Sequence, residues 1–314
     1  MYSVGIDIGG TKIAGALVDE TGAVVREART PTPAQDTVAL EDAVVAMVSA
    51  FAPAGEIVAT GVAAAGFVKA DGSEIYYAPN VAWRHEPLQG NLSARLGHPV
   101  VVENDANAAG WGEYVFGAGR GRQSMLMATI GTGIGGAFVS EGRLFRGGFG
   151  AGAEIGHQTF RPGGIPCGCG SRGCIEQYAS GRALLRLANE VADAGGIGAE
   201  LAARRTEQGG LTGTDVGELL QAGEPGAVQA LTLLGYDLGE ALASMQALYD
   251  PELIVLGGGV AQAGELLLAP VRSAFFEHLS ARDFRPHPDF AIAELVNDAG
   301  AIGAADLARR AFRG

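Results

Sequence analysis

The sequence predicts an α/β protein in which one structural plan is used twice. Three observations carry that expectation. Apolar runs of strand length alternate with longer helical segments. A strand, a glycine turn carrying a threonine, a second strand, a further Gly-containing turn and a third strand appear near residue 3 and again near residue 125. The 314 residues also exceed what one small core needs, since domains run about 100 to 200 residues.

The elements read in order as follows. SVGIDI (3–8) is an apolar strand with one acidic interruption, ending on Gly9-Gly10-Thr11-Lys12. IAGALV (13–18) is a second strand, Asp19 to Gly22 a turn, and AVVREA (23–28) a third, which together make an antiparallel meander. The segment at 38–52 is amphipathic, EIVATGVA (56–63) is an apolar strand, and PVVVEND (99–105) runs into a helix, ANAAGWGEYVFG. The plan then returns: MLMATI (125–130), Gly131-Thr132-Gly133, IGGAFVS (134–140), Glu141-Gly142 and RLF. Beyond a polar loop, Ser180-Gly181 opens the helical run RALLRLANEVADA, and a longer helix spans Pro225 to Leu248 with proline in its first turn. ELIVL (252–256) is a strand ending on Gly257-Gly258-Gly259, and AGAIGAADLARRAF reads as a closing helix.

Composition narrows the function classes. Hydrophobic residues make up 47% and charged residues 18%, against roughly 25% charged in an average chain, which suits buried cores rather than disorder. A net charge of −13 without a basic tract argues against a nucleic-acid partner, whose affinity comes largely from neutralising phosphates. No apolar run approaches the ~20 residues that cross a bilayer. The start MYSVGIDIGG has no basic region followed by an apolar one, as a signal peptide would. We therefore expect a cytoplasmic protein with no membrane partner.

All three cysteines lie in residues 167–174, just after a histidine. An odd count is no disulfide framework. His157-x9-Cys167-x-Cys169-x4-Cys174 does match Cys3His, a standard tetrahedral zinc shell, and inert buried thiols seldom cluster in so polar and glycine-rich a loop. Four protein ligands leave no open position for a water nucleophile, so the zinc is expected to be structural.

The glycine turns raise a second question. There is no GxxxxGK[ST] sequence, and although Gly131, Gly133 and Gly136 satisfy GxGxxG, they lead into a strand and not the helix a dinucleotide site needs. Turns between strands can still cradle phosphate with backbone N–H groups. Thr11 and Thr132 would add hydroxyl donors, Lys12 a cation and Asp7 a carboxylate for Mg2+; the other reading is a pair of ordinary hairpin turns. Asp105 ends an apolar strand, where a side chain can project toward a ligand as a base, or it N-caps the following helix.

DIGGTK, ENDANAAGWGE, GTGIGG, AEIGH, CGCGSRGCIEQYASG and VLGGGV follow one another here in the order seen in the ROK family, and the chain resembles that family over essentially its whole length. The resemblance implies a duplicated actin-like ATPase (ribonuclease H-like) fold with two domains flanking a cleft. Residues 1–118 plus 299–314 would form the smaller domain and 119–298 the larger. It implies ATP-dependent phosphorylation of D-glucose at the 6-hydroxyl, with Asp105 as catalytic base. By the same resemblance, Gly9, Gly10, Thr11 and Lys12 with Gly131, Thr132 and Gly133 hold the ATP phosphates, and Gly257, Gly258 and Gly259 lie along the adenosine. Asn104, Glu154, His157 and Glu176 match sugar-binding positions, with Gly66 and Asn80 as further sugar contacts. A homodimer or homotetramer is implied too. Other ROK kinases, for N-acetylmannosamine, allose, fructose or glucose with polyphosphate, share the catalytic motifs. A sugar-sensing ROK repressor would need a helix-turn-helix ahead of the first strand, and that strand begins here at residue 4.

Overall fold

The computed structural model describes residues 1–52 and 56–313; residue 314 of the expected smaller domain lies outside them. The elements follow the sequence closely. They are β1 (Tyr2–Ile8), β2 (Lys12–Val18), β3 (Val24–Pro31), α1 (Thr37–Phe51), β4 (Ile57–Ala64), β5 (Phe67–Val68), β6 (Ile75–Tyr77), β7 (Arg84–Glu86), α2 (Leu88–Leu96), β8 (Val100–Asn104) and α3 (Asp105–Phe116). Next come β9 (Ser124–Ile130), β10 (Ile134–Ser140), β11 (Arg143–Leu144), α4 (Glu176–Ala179), α5 (Gly181–Ala194), α6 (Ala199–Gln208), α7 (Gly213–Gln221) and α8 (Pro225–Tyr249). The last are β12 (Leu253–Gly257), α9 (Glu265–His278), β13 (Asp289–Ile292) and α10 (Ala299–Arg313).

The repeated plan holds at the level of topology. One five-stranded sheet has the order β3-β2-β1-β4-β8 and the other β11-β10-β9-β12-β13. In the first, β1, β2 and β3 form the antiparallel meander, whereas β4 and β8 run parallel to β1. Register places Ile8 beside Ala64, and Ala64 beside Asn104, so three parallel strands end at one edge. In open α/β sheets ligands bind outside such carboxyl ends. A small antiparallel sheet, β5-β6-β7, is the main addition to the sequence-based expectation.

The chain divides into two compact units, residues 1–125, 137–153 and 294–314 in one and residues 126–136 and 154–293 in the other. In the first, Val4, Ile6, Leu17, Leu40, Val44, Val62 and Trp83 belong to one buried cluster. The sheet's other face is covered by α10, whose Ala301, Ile302, Ala304 and Ala305 are buried. Backbone meets backbone there: a Cβ on Gly61 would lie 1.9 Å from the Ala304 carbonyl oxygen, and one on Gly5 1.8 Å from that of Ala301. Gly61→Ala is therefore expected to cost about 1–3 kcal/mol, the usual penalty for overpacking, read as a lower midpoint in denaturant. Unchanged stability would mean that α10 slides freely on the sheet. Helix α10 is also tied to α3, where Trp111 Nε1 donates to buried Asp306 Oδ2 at 2.9 Å.

In the second unit, the 25-residue helix α8 packs along α9 and α5. Glu224 caps α8 through both carboxylate oxygens, bonding the amides of Gly226 and Ala227 at 2.9 and 2.7 Å, and Pro225 occupies its first turn. Among the described residues, no helix is long and apolar enough to cross a membrane.

Candidate active site

The first glycine turn sits at the edge of the first sheet where β1, β4 and β8 end. It is closed by Gly9 N donating to the Lys12 carbonyl at 3.0 Å, and Thr32 Oγ1 donates to the Gly9 carbonyl at 2.7 Å. Thr11 and Lys12 are exposed at its tip. Asn80 stands beside it, since a Cβ on Gly10 would come within 2.9 Å of the Asn80 Cβ. Asp7 precedes the turn, with its Oδ2 against Gly300 in the first turn of α10.

Asp105 opens α3 directly after β8 ends. The helix cap is Asn104, not Asp105: Asn104 Oδ1 accepts from Asn107 N at 3.0 Å. Asn104 Nδ2 donates to the Gly66 carbonyl at 3.1 Å, which places those two expected sugar contacts together. The Ala106 amide donates to Asp105 Oδ1 at 2.9 Å. Burial pushes its proton affinity above the ordinary aspartate range, against that amide's opposing pull. Asp7 is raised to about 6 by burial and then by the charge of Asp105, with Lys12 pulling the other way. Two carboxylates that disfavour each other's ionisation suit a place where a cation and a proton are both handled.

The second unit carries the second glycine turn and the residues around it. Gly131 N donates to the Gly133 carbonyl at 2.9 Å, and the Gly131 carbonyl accepts from Gly181 N, at the start of α5, at 2.8 Å. Glu176 braces this turn: its Oε2 accepts from Ile134 N at 3.1 Å and its Oε1 from Arg182 Nη2 at 3.0 Å, while Arg182 Nε donates to the Thr132 carbonyl at 3.0 Å. The short 3-10 helix Ile155–His157, preceded by Glu154, packs alongside. Only glycine fits at position 156, where a Cβ would lie 2.0 Å from the Ile134 carbonyl oxygen. Glu154, His157 and Glu176 thus gather around the start of β10.

A cavity of 710 Å3 opens from this turn, within the range of small-molecule sites. Leu184, Leu185, Val216, Leu220, Val260 and Leu266 supply apolar walls, with Gly131, Thr132, Arg182 and Gly259 also lining it. Gly257 and Gly258 are not among the lining residues; they pack on Met127 and on the backbone of Ile130. The walls from α5, α7 and residues 260–266 were not foreseen from sequence. The signals available for them were the Ser180 cap and the Thr212–Asp215 capping box, which start helices α5 and α7.

Ligand atoms of His157, Cys167, Cys169 and Cys174 all lie within 4.8 Å of one another. Cys169 Sγ and Cys174 Sγ are 3.7 Å apart, and Cys167 Sγ is 3.8 Å from His157 Nδ1. A tetrahedral zinc with bonds of about 2.3 Å requires edges of about 3.8 Å, so the donor set fits that ion. Backbone pairing at Thr159–Cys174 and Pro166–Arg172 frames the knuckle. Without a cation, burial and the neighbouring thiols push the Cys174 thiol up to about 12, and a bound metal would reverse that. The Nδ1 of His157 is the nitrogen turned toward the thiols, which leaves Nε2 for another partner.

The model of the ROK family matches residues 3–311. The chain belongs to the ROK family. Among its ROK relatives, a glucokinase of Streptomyces coelicolor is 45% identical over 309 residues, covering 98% of this chain and 97% of the relative. A glucokinase of Halalkalibacterium halodurans is 38% identical over 98% of this chain and 95% of the relative. The crystal structure of a ROK family glucokinase from Streptomyces griseus in complex with glucose and AMPPNP superposes with a TM-score of 0.88. It shares 43% sequence identity and covers 99% of this chain and 100% of that one. The fold is the actin-like ATPase fold of the ROK kinases.

Proposed function

We propose that this chain transfers the γ-phosphoryl group of ATP to the 6-hydroxyl of D-glucose, giving glucose 6-phosphate. The observation that carries the proposal is Asp105 at the carboxyl end of β8, its proton affinity raised by burial, in a chain 45% identical over nearly its whole length to a glucokinase.

Asp105 accepts the hydroxyl proton as the sugar oxygen attacks the γ-phosphorus, and the bond from that phosphorus to the β,γ-bridging oxygen breaks to release ADP. Gly66, Asn80, Asn104, Glu154, His157 and Glu176 orient the sugar, amides and carboxylates each being able to accept a hydroxyl proton. The amides of Gly9, Gly10 and Thr11 and of Gly131, Thr132 and Gly133 hold the phosphates, with Lys12 as a cation. The 710 Å3 cavity takes the adenosine along Gly259, and Gly257 and Gly258 fix the direction of that wall. Asp7 would hold Mg2+, which would supply neutralising charge for the phosphates. Zinc on His157, Cys167, Cys169 and Cys174 supplies no chemistry and orders the segment that carries His157 and Glu176. We assign residues 1–118 plus 299–314 and 119–298 to the two domains, and a dimer or tetramer to the working enzyme.

The deciding experiment is initial rate against glucose, mannose, fructose, N-acetylglucosamine and N-acetylmannosamine, with ATP and then polyphosphate as donor. A large kcat/KM advantage for glucose with ATP is expected. Preference for an acetylated aminosugar would retain the Asp105 chemistry and overturn the substrate.

A pH profile tests the base. Asp105 works deprotonated, and its raised pKa means that activity is present at high pH and lost as pH falls through that value. The acid limb of kcat/KM should therefore lie above the ordinary aspartate value of about 3.9. Asp7, raised to about 6 by burial and by Asp105, adds a loss of its own as pH falls through that value. A limb at or below pH 4 would exclude a buried carboxylate as the base.

A further inference from the structure

Asp105 stands on a ring of hydrogen bonds that neither sugar nor nucleotide accounts for. Glu103, two residues before it on β8, is only 4% exposed. Its Oε1 accepts from Asn104 N at 3.1 Å and from Asn107 Nδ2 at 3.0 Å. Asn107 N donates in turn to Asn104 Oδ1 at 3.0 Å, which closes the ring. Its anchors are the Gly66 carbonyl, bonded by Asn104 Nδ2 at 3.1 Å, and Arg146, whose Nε donates to Glu103 Oε2 at 2.6 Å.

Two features set this apart from an ordinary surface ion pair. A buried carboxylate needs a countercharge, and Arg146 supplies it from a loop 43 residues away in sequence. Asn107 is 2% exposed, and its Oδ1 is buried without a partner among the described residues. Turning the amide over would satisfy that oxygen no better and would set it against the Glu103 carboxylate.

We propose that Glu103 and Arg146 are a positioning pair for Asp105, fixing the Asn104–Asn107 cap from which the base projects and cancelling the second negative charge beside it. This rests on the reading of Asp105 as the base. The charged group coupled to Asp105 is Asp7 from β1, on which Lys12 from β2 acts in turn; Glu103 and Arg146 reach Asp105 through the Asn104–Asn107 cap. Helix α10 contributes uncharged Gly300 against Asp7.

The test uses the full chain carrying Arg146→Met, Glu103→Gln, both together, or Asp105→Asn. Turnover, KM for glucose and for ATP, the pH profile and the melting temperature are measured for each. Either single variant should lower kcat by about tenfold or more, since a small misplacement of a reacting group is costly, with KM for ATP within about twofold. The acid limb should move in opposite directions. Arg146→Met leaves Glu103 uncompensated and shifts it to higher pH; Glu103→Gln leaves Arg146 uncompensated and shifts it lower. The double variant should return it to the wild-type position. A lower melting temperature with the limb unmoved in both single variants would make the pair structural and overturn the proposal. Arg146 is partly exposed, so its variant stays informative if Glu103→Gln does not fold. Normal turnover by Asp105→Asn would overturn the base itself, a failure distinct from an unmoved limb.

Discussion

Asp105→Asn is expected to bind glucose and ATP as the parent does while kcat falls by about 10²–10⁴, the usual contribution of a positioned base. The substitution is nearly isosteric. It keeps an oxygen for the Ala106 amide that bonds Oδ1 at 2.9 Å, and it leaves the helix cap untouched because that cap is Asn104. Fold and binding should therefore survive, and only the proton acceptor is lost. Removing a buried carboxylate also lowers the proton affinity of Asp7, which Asp105 raises, so Asp7 ionises more readily and Mg2+ affinity should not fall. Calorimetric titration with glucose and with a non-hydrolysable ATP analogue, set beside turnover, separates the outcomes. Near-normal turnover would remove Asp105 from its role; loss of binding along with turnover would make it a structural residue.

Cys169→Ser is the second large effect. One ligand of a closed tetrahedral set disappears, and structural zinc contributes about 10–16 kcal/mol of apparent binding free energy in small peptides. A fraction of that offsets the ordering of a few loop residues, at roughly 1–2 kcal/mol each. Bound zinc, measured by atomic absorption, should fall from one per chain to none, and glucose affinity should fall by at least about tenfold, equivalent to about 1.4 kcal/mol. ATP should weaken less but measurably, because Glu176 follows the last ligand, Cys174, by two positions and its carboxylate braces the second glycine turn through Ile134 and Arg182. Metal-free protein with full glucose affinity would refute the idea that zinc organises the pocket.

Much of the architecture was legible because it is written locally. Strands such as residues 3–8 and 125–130 are short apolar runs stopped by glycine, and the repeat of turn chemistry announced the repeat of topology. The cluster of His157, Cys167, Cys169 and Cys174, which could hold a metal ion, was legible for the same reason, since four chemically distinctive residues fall within eighteen positions. The small sheet β5-β6-β7 was not, as strands of two and three residues have no room to show alternation. Nor were the walls of the cavity, whose leucines and valines look like any helix core until the fold leaves them facing an opening. Glu103 and Arg146 were hidden by distance along the chain; a lone glutamate in a strand gives no hint of which arginine will neutralise it. Asp105 was ambiguous between base and cap until the backbone assigned the cap to its neighbour.

The contact of α10 with the first sheet has a consequence in time. During synthesis β1 through β8 emerge long before residues 299–313, and chains are made at about 5–20 residues per second. Until Ala301, Ile302, Ala304 and Ala305 arrive, the glycine-lined face of that sheet has nothing to close against. The unit made first must therefore wait, incomplete, while residues 126–136 and 154–293, all made before α10, form the other. A nascent chain halted before residue 299 should be readily cleaved by protease in its early half and resistant in its later one.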